Sequence, residues 1–472
     1  MLYAIMRQLA RIALRWYYRD IEIVGAGCVP RDVPLLVVAN HPNAVVDPML
    51  VATTLPRRVT FTGKATLFEN PFLRVFLGAL GMVPLRRASD ERARRDAGGA
   101  PDPRRNADAF RAVVAELAAR RAVLIFPEGK SHDEPAIAPL KTGTARMALQ
   151  ARAAGVRDVT ILPMGFVFED KARPRTRILV EIGEPLRLDA WAPDGGSEPE
   201  SLTAEIDRRL RALTMNFESV AAAADVERLA ATLGASGSGP LGSDARYADT
   251  VALARRVDSA RRVLGGAAPD TPALTDRART LREDLRRLEE LASRRGIDLR
   301  DATIDTSIGS GAIFALREGA LALAAAPVAL LGRVVHWPSV TIARAVAHRT
   351  SRSGSDPAMQ TFVVGAPLVL LTWMAVAMLA WRAGGALLAV IAVAVLPVLA
   401  LADVAMRDRA ARARARARAY FTLRRDRGLR HQLLGALSAA RNEAAQLEED
   451  LLVTHALPCT GAGGPRVGAE RA

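Results

Sequence analysis

The chain has 472 residues, with 65 Lys+Arg against 50 Asp+Glu and a formal net charge of +15. At about 150 residues per domain that length suggests two or three units. Half of the residues are hydrophobic and 24% are charged, so the two kinds must be segregated along the chain, which disfavours a disordered or fibrous protein. The two cysteines, Cys28 and Cys459, stand near opposite ends and exclude a disulfide framework or a cysteine zinc site.

In residues 1–20, Arg7, Arg11 and Arg15 interrupt any apolar signal-peptide core. Their spacing of four places them on one helical stripe, with Leu2, Ile5, Leu9, Ile12 and Trp16 over much of the rest. Such an amphipathic helix is expected to lie in a membrane interface, the alternative being a surface helix packed on the domain that follows. From residue 21 to about 188, short apolar runs alternate with helical patterns. Strands are predicted at 35–39, 59–62, 82–85, 123–126, 159–165 and 178–182, and helices near 45–55, 71–80, 107–120 and 142–153. That rhythm predicts an α/β domain, its largely parallel sheet buried between helices. The Arg- and Asp-rich stretch 88–106 reads as an exposed loop.

Helical patterns from 198 close this domain at 233, and residues 234–243 (GASGSGPLGS) form the clearest linker. A helical region spans 244–310. Within it, Leu281, Leu285, Leu288 and Leu291 repeat at spacings of three and four and predict packing on a neighbouring helix.

Residues 361–381 carry no charge and would be about 31 Å long as a helix. Residues 386–402 are also uncharged, and the apolar run continues to 406. Only Arg382-Ala383-Gly384-Gly385 separates the two runs, so 361–406 predicts a two-helix transmembrane hairpin, the alternative being a buried soluble hairpin. The earlier apolar segment 311–337 is interrupted by Pro327 and Arg333, and is expected to be interfacial or re-entrant. Arg344, Arg349 and Arg352 precede the hairpin; Arg407, Arg409, Arg412, Arg414, Arg416 and Arg418 follow it. The positive-inside rule then puts both ends, the α/β domain and the basic, helical tail 407–472 in the cytoplasm, with a bacterial inner membrane as the expected location.

Residues 1–19 carry +4, residues 333–352 carry +4 and residues 407–430 carry +8. The rest of the chain is close to neutral. The Arg-Ala alternation of 407–418 invites a nucleic-acid-binding or membrane-scaffold reading. However, no aromatic residue interleaves with those arginines, and attraction to anionic membrane lipids, with no nucleic acid partner, explains the run next to an apolar segment.

The chemistry-bearing residues cluster at strand ends. After the first buried strand come Asn40-His41-Pro42-Asn43-Ala44-Val45-Val46-Asp47. A His at the carboxyl end of a strand sits where open α/β sheets bind ligands, and a carboxylate can fix its tautomer and stabilise its protonated form. On one regular helix His41 and Asp47 would point about 120° apart. They meet only if His41 lies in the turn before the helix, with Pro42 near its first position. Asn40 could donate to a developing oxyanion or cap the helix.

After the fourth predicted strand the chain reads Phe126-Pro127-Glu128-Gly129-Lys130-Ser131-His132-Asp133, and later Pro139-Leu140-Lys141-Thr142-Gly143 at a helix start, a setting suited to phosphate. The third strand ends in Arg86-Arg87. A His-Asp pair with several cations at one sheet edge can deprotonate a hydroxyl of an anionic substrate. His132, Asp133 and Glu134 are adjacent and cannot all point at one ion, so a loop contact to the site is expected there and no metal.

In order, NHPNAVVD, GMVPLRR, FPEGKSHD and ILPMG resemble the four blocks of the glycerolipid acyltransferase family, the lysophosphatidate and glycerol-3-phosphate acyltransferases, over roughly residues 20–190. The commonest family spacing leaves four residues between His and Asp, and this chain has five. That spacing, the SHD after block three, the downstream PLKTG and Ser355-Asp356-Pro357 are similar to the glycerol-3-phosphate/dihydroxyacetone-phosphate acyltransferase-like branch. Lys130 departs from the usual Thr-Arg or Gly-Ser continuation of block three.

The resemblance implies His41 as general base and Asp47 as its orienting partner. It implies a substrate site drawn from Asn40, Glu128, Gly129 and Lys130, with Arg86 or Arg87 and Lys141 holding the acceptor's phosphate. It further implies no cofactor, a fatty acyl thioester of coenzyme A or acyl carrier protein as co-substrate, and a phosphorylated glycerol-type acceptor. Acylation of lysophosphatidate is the sibling alternative, and a catalytically idle family member the remaining one.

Overall fold

The computed structural model describes residues 2–85, 103–192, 198–234, 246–265, 272–350 and 356–453. They divide into two compact units, one of residues 2–216 with 339–371 and one of residues 217–338 with 372–453.

The first unit is built on an eight-stranded sheet. Its strands are β1 Asp20–Val24, β2 Leu35–Ala39, β3 Val59–Lys64, β4 Val83–Leu85, β5 Ala122–Ile125, β6 Thr160–Phe168, β7 Arg177–Ile182 and β8 Leu186–Arg187. The order is β1-β7-β6-β2-β5-β3-β4, with β8 on β6. All pairs are parallel except β6 with β7 and with β8. The helices are α1 Leu2–Tyr17, α2 Val46–Thr54, α3 Pro71–Ala79, α4 Pro103–Ala118, α5 Gly143–Ala153, the short α6 Leu188–Trp191 and α7 Pro199–Leu213.

Every residue of β2 and β5 is buried, which only an inner strand covered on both faces can satisfy. Alternate side chains of β2 enter different cores. Leu35, Val37 and Ala39 pack with Leu50, Val51 and Leu14 on one face; Leu36 and Val38 pack with Val113, Leu117, Ile206 and Leu210 on the other.

The sheet is the α/β arrangement that the sequence reading expects, with three differences. Strands β1 and β8 were not among the predicted ones. The pair β6–β7 is antiparallel because only residues 169–176 join them, too few for a crossover, which takes about a dozen or more. The stretch expected as a loop, 88–106, is helical from Pro103 onward, its earlier part lying outside the described residues.

The N-terminal helix α1 packs on α2. Arg7 Nη2 donates to Leu55 O (2.6 Å) and Arg11 Nη2 to Thr53 O (3.5 Å), so two arginines of the basic stripe meet carbonyls at the C-terminal end of α2, where cations are favoured. The helix thus packs on the domain, while Leu2 and Ile5 stay exposed on it.

The second unit is helical. It contains α8 Val220–Leu233, α9 Tyr247–Gly265, α10 Pro272–Arg294, most of α11 Ile308–Thr350 and of α12 Asp356–Arg425, and α13 Arg427–Val453. The linker expected at 234–243 lies outside the described residues apart from Gly234. The leucine stripe of α10 faces α13: Leu288 shares a core with Leu429, Leu433 and Leu437, and Leu281 packs against Leu447 and Leu451. The expected segment 311–337 is part of α11, which continues through Pro327 and Pro338.

Within α12, Gly384 (φ −153°) and Gly385 (φ 77°) break the helical geometry, the second in a conformation that favours glycine. The same stretch of α11 touches both sides of that break. Trp373 Nε1 donates to His336 Nε2 (2.9 Å), a Cβ on Gly332 would stand 2.1 Å from Leu399 O, and Arg333 pairs with Asp403 (3.1 Å). The chain therefore reverses at the glycines. Both α11 and α12 are long and apolar enough, by length and composition, to cross a membrane.

Candidate active site

Two neighbouring parallel strands, β2 and β5, end at the site. Just past β2, Asn40 Nδ2 donates to Phe166 O (3.1 Å) and Phe166 N donates to Asn40 Oδ1 (2.8 Å). The side chain thus extends the β2–β6 pairing beyond the last backbone bonds. Helix α2 has no side-chain cap bond, so the Asn40 amide serves the strand pairing rather than a cap.

His41 follows, 8% exposed, with Nδ1 2.9 Å from Asp47 Oδ2. Helix α2 begins at Val46, so His41 and Pro42 both lie in the preceding turn, and Pro42 is further from the helix than expected. Asp47 Oδ2 also accepts Asn43 N–H (2.8 Å), which draws the turn over the first turn of α2. Burial pushes the Asp47 carboxyl above its usual range, against the opposing pull of His41. Asp47 Oδ1 is buried and meets no donor among the described residues.

The His41 ring lies flat on Phe126, with centroids 3.8 Å apart and planes 8° apart. Asn43 Nδ2 donates to the hydroxyl of Tyr18 (3.2 Å), and burial raises that phenol well above its ordinary value, so it stays neutral. One imidazole nitrogen and one ring face are fixed; Nε2 has no partner among the described residues.

The loop after β5 backs this turn. Glu128, 2% exposed, accepts His41 N–H at Oε1 (2.7 Å) and Ala138 N–H at Oε2 (2.8 Å), and Oε2 also meets His132 Nε2. Gly129 has φ +74°, and a Cβ there would stand 2.7 Å from Lys141 Nζ, so only glycine allows the lysine to lie across this loop. Lys141 and Lys130 are exposed beside it. Lys141 just precedes α5, whose N-cap Thr142 makes no side-chain cap bond; the amides of that first turn and two cations mark the anion-favouring side of the site.

The acidic loop residues do not converge. Asp133 pairs with Lys171 (2.7 Å), while His132 turns to Glu128. Arg86 and Arg87, expected to hold phosphate, lie outside the described residues.

Sequence reasoning missed two parts of this site. Phe126 was legible as a strand end and as the first residue of block three, but its stacking on His41 depends on the β2–β5 pairing. Lys171 was a lone lysine with no motif around it. Its Nζ donates to Pro42 O (3.4 Å) and His132 O (3.2 Å), tying both loops together from the β6–β7 connection.

Residues 20–167 match the family model described as Acyltransferase. The chain carries an acyltransferase domain. The match runs from β1 to the last-but-one residue of β6 and includes the His41–Asp47 pair and the Glu128 loop. Glycerol-3-phosphate O-acyltransferase 2 of Saccharomyces cerevisiae is 34% identical over 24% of this chain and 15% of its own length. Glycerol-3-phosphate O-acyltransferase 1 of the same yeast is 31% identical over 24% of this chain and 15% of its own. The chain thus matches about one-seventh of the length of either yeast protein. Among solved structures, a 1-acyl-sn-glycerophosphate (LPA) acyltransferase from Thermotoga maritima is 20% identical, covering 45% of this chain and 78% of that one at a TM-score of 0.34.

Proposed function

We propose that the chain is a membrane-bound O-acyltransferase that transfers a fatty acyl group from a thioester of coenzyme A or acyl carrier protein to glycerol 3-phosphate, dihydroxyacetone phosphate or a related phosphorylated acceptor. The observation that carries the reading is the His41–Asp47 pair. Nδ1 is engaged by a buried carboxylate, Nε2 is unpartnered among the described residues, and the loop that supports this turn carries the exposed Lys130 and lies against the exposed Lys141. Both yeast relatives are glycerol-3-phosphate O-acyltransferases by name, which supports the choice of acceptor.

In this mechanism His41 Nε2 takes the proton of the acceptor hydroxyl as its oxygen attacks the thioester carbonyl. The C–S bond then breaks, the electron pair leaves on sulfur, and the imidazolium returns its proton to the thiolate. Asp47 keeps the proton on Nδ1 and stabilises the transient imidazolium. Lys141, and Arg86 or Arg87, hold the acceptor's phosphate. Membrane attachment through α11 and α12 places the enzyme beside its lipid product, with the acyltransferase domain on the cytoplasmic side of a bacterial inner membrane.

The sibling reading is a lysophosphatidate acyltransferase, which the same pair could serve. The discriminating experiment is an acceptor panel. Membranes containing the full chain are given labelled acyl-CoA or acyl carrier protein with glycerol 3-phosphate, dihydroxyacetone phosphate or lysophosphatidate. Monoacylated product from either of the first two is the expected result. Product from lysophosphatidate alone would support the sibling reading, and no transfer to any acceptor would remove the enzymatic one.

A further inference from the structure

We propose that Glu128, His132 and Lys171 form a positioning clamp that holds the His41 turn, and that Glu128 makes no contact with the acceptor. The inference rests on the acyl-transfer reading of His41 and reassigns a residue that the sequence places in the substrate site.

The turn from His41 to Val45 belongs to neither strand nor helix, and Ala44 within it has φ 21°, so its position must be enforced from outside. Glu128 Oε1 does this directly by accepting the backbone N–H of His41. A carboxylate offers about four acceptor positions. Three are occupied, by His41 N–H, Ala138 N–H and the His132 ring, on a side chain that is 2% exposed. No surface remains for a substrate hydroxyl, and a buried anion would repel a substrate phosphate.

His132 can play only one part in this arrangement. Glu134 N–H points at His132 Nδ1 (3.2 Å), so Nδ1 is the acceptor and carries no proton. The ring hydrogen is then on Nε2, where it donates to Glu128. Lys171 closes the clamp from a third loop, donating to a carbonyl in each of the other two, Pro42 O and His132 O, while paired with Asp133.

Substitutions separate a clamp from a substrate contact. In Glu128→Gln, one oxygen becomes an NH2 facing a donor that it cannot accept from. In His132→Gln, an N–H is retained at about the reach of the ring's Nε2, whereas His132→Ala removes it. The test is steady-state kinetics of the full chain in membranes, with glycerol 3-phosphate as the varied acceptor.

Glu128→Gln and His132→Ala are expected to lower kcat by about 10–100-fold, the rate equivalent of one hydrogen bond to a charged group, with the acceptor KM unmoved. His132→Gln is expected to recover most of that loss, and Lys171→Arg to recover what Lys171→Met loses. An acceptor KM that rises in Glu128→Gln while kcat holds would overturn the proposal, as would a His132→Gln variant no better than His132→Ala.

Amide hydrogen exchange of the detergent-solubilised chain tests the clamp apart from acyl transfer. Protection of the peptide containing His41–Asn43 should fall in Glu128→Gln and His132→Ala and return in His132→Gln. Unchanged protection in Glu128→Gln would overturn the clamp even if transfer is confirmed. If the wild type transfers nothing, the acyl-transfer reading fails, and the exchange result alone decides whether the clamp exists.

Discussion

At the scale of single residues, Asp47 stands where function and stability pull apart. Its carboxyl is buried and held above the ordinary 3.8. A carboxyl whose folded pKa exceeds its unfolded value costs folding free energy when ionised; that cost is absent below the unfolded pKa and grows as pH rises towards the folded one. Removing the charge should therefore spare stability at neutral pH while removing the group proposed to fix the imidazole tautomer. Asp47→Asn is expected to lower kcat by about 100–10,000-fold without lowering the thermal midpoint. A clear fall in midpoint would mean that the ionised pair is a structural support. Gly129→Ala combines a positive φ with a Cβ that meets Lys141 and should lower the midpoint by about 1–3 kcal/mol equivalent, mostly from the backbone strain, since the lysine tip can move aside; an unchanged midpoint would show that the loop relaxes out of the left-handed conformation. The His41–Asp47 pair was legible in the sequence because its partners are only six positions apart, across the turn that leads into α2. The contact of Glu128 with His41 spans 87 positions and exists only once β2 and β5 are paired, so block three read as a substrate motif rather than as a support for block one.

Among the elements, those that could be read were the ones whose own residues impose them. The strands β2 and β5 are apolar throughout, and the glycine of ILPMG lies where α7 presses closest, with a Cβ on Gly165 set 2.3 Å from Leu213 O. The strand β1, DIEIV, carries two acids and has only one buried residue, so its strand character comes from pairing with β7, which no local pattern announces. The basic run after residue 406 is a second case. In sequence it is a polybasic flank, but in the helical unit Arg409 pairs with Glu318 (2.6 Å), Arg407 with Asp403 (2.7 Å) and Arg416 with Asp301 (3.7 Å). Part of that charge is met by acids of the loop before α11, of α11 and of α12 itself. Close approach of α11 to α12 yields a paired prediction for the full chain in detergent. Gly332→Ala should lower the thermal midpoint by the equivalent of about 1–3 kcal/mol, because the new methyl meets backbone. Gly435→Ala, with nothing within 4 Å, should raise it by the equivalent of about 1 kcal/mol through helix propensity. Equal effects would show that the α11–α12 contact is not tight.

For the molecule as a whole, the charge of +15 no longer describes a uniformly basic protein. Cations meet the C-terminal carbonyls of α2, acids within the helical unit and, as proposed, lipid and the acceptor's phosphate. The long helices leave large apolar side chains outward, Leu323 at 82% and Leu387 at 73% among them, more than a water-soluble surface ordinarily carries in one region. Hence the chain is expected to stay in the membrane pellet after an alkaline carbonate wash; its release to the supernatant would make attachment peripheral. The proposed chemistry converges on one nitrogen, His41 Nε2. The most direct test is acyl transfer from labelled acyl-CoA to glycerol 3-phosphate by the wild type and by His41→Ala, with thermal unfolding of both recorded alongside. A fall in kcat of about 100–10,000-fold at an unchanged unfolding midpoint is the predicted result, and near-wild-type transfer by the folded variant would contradict it.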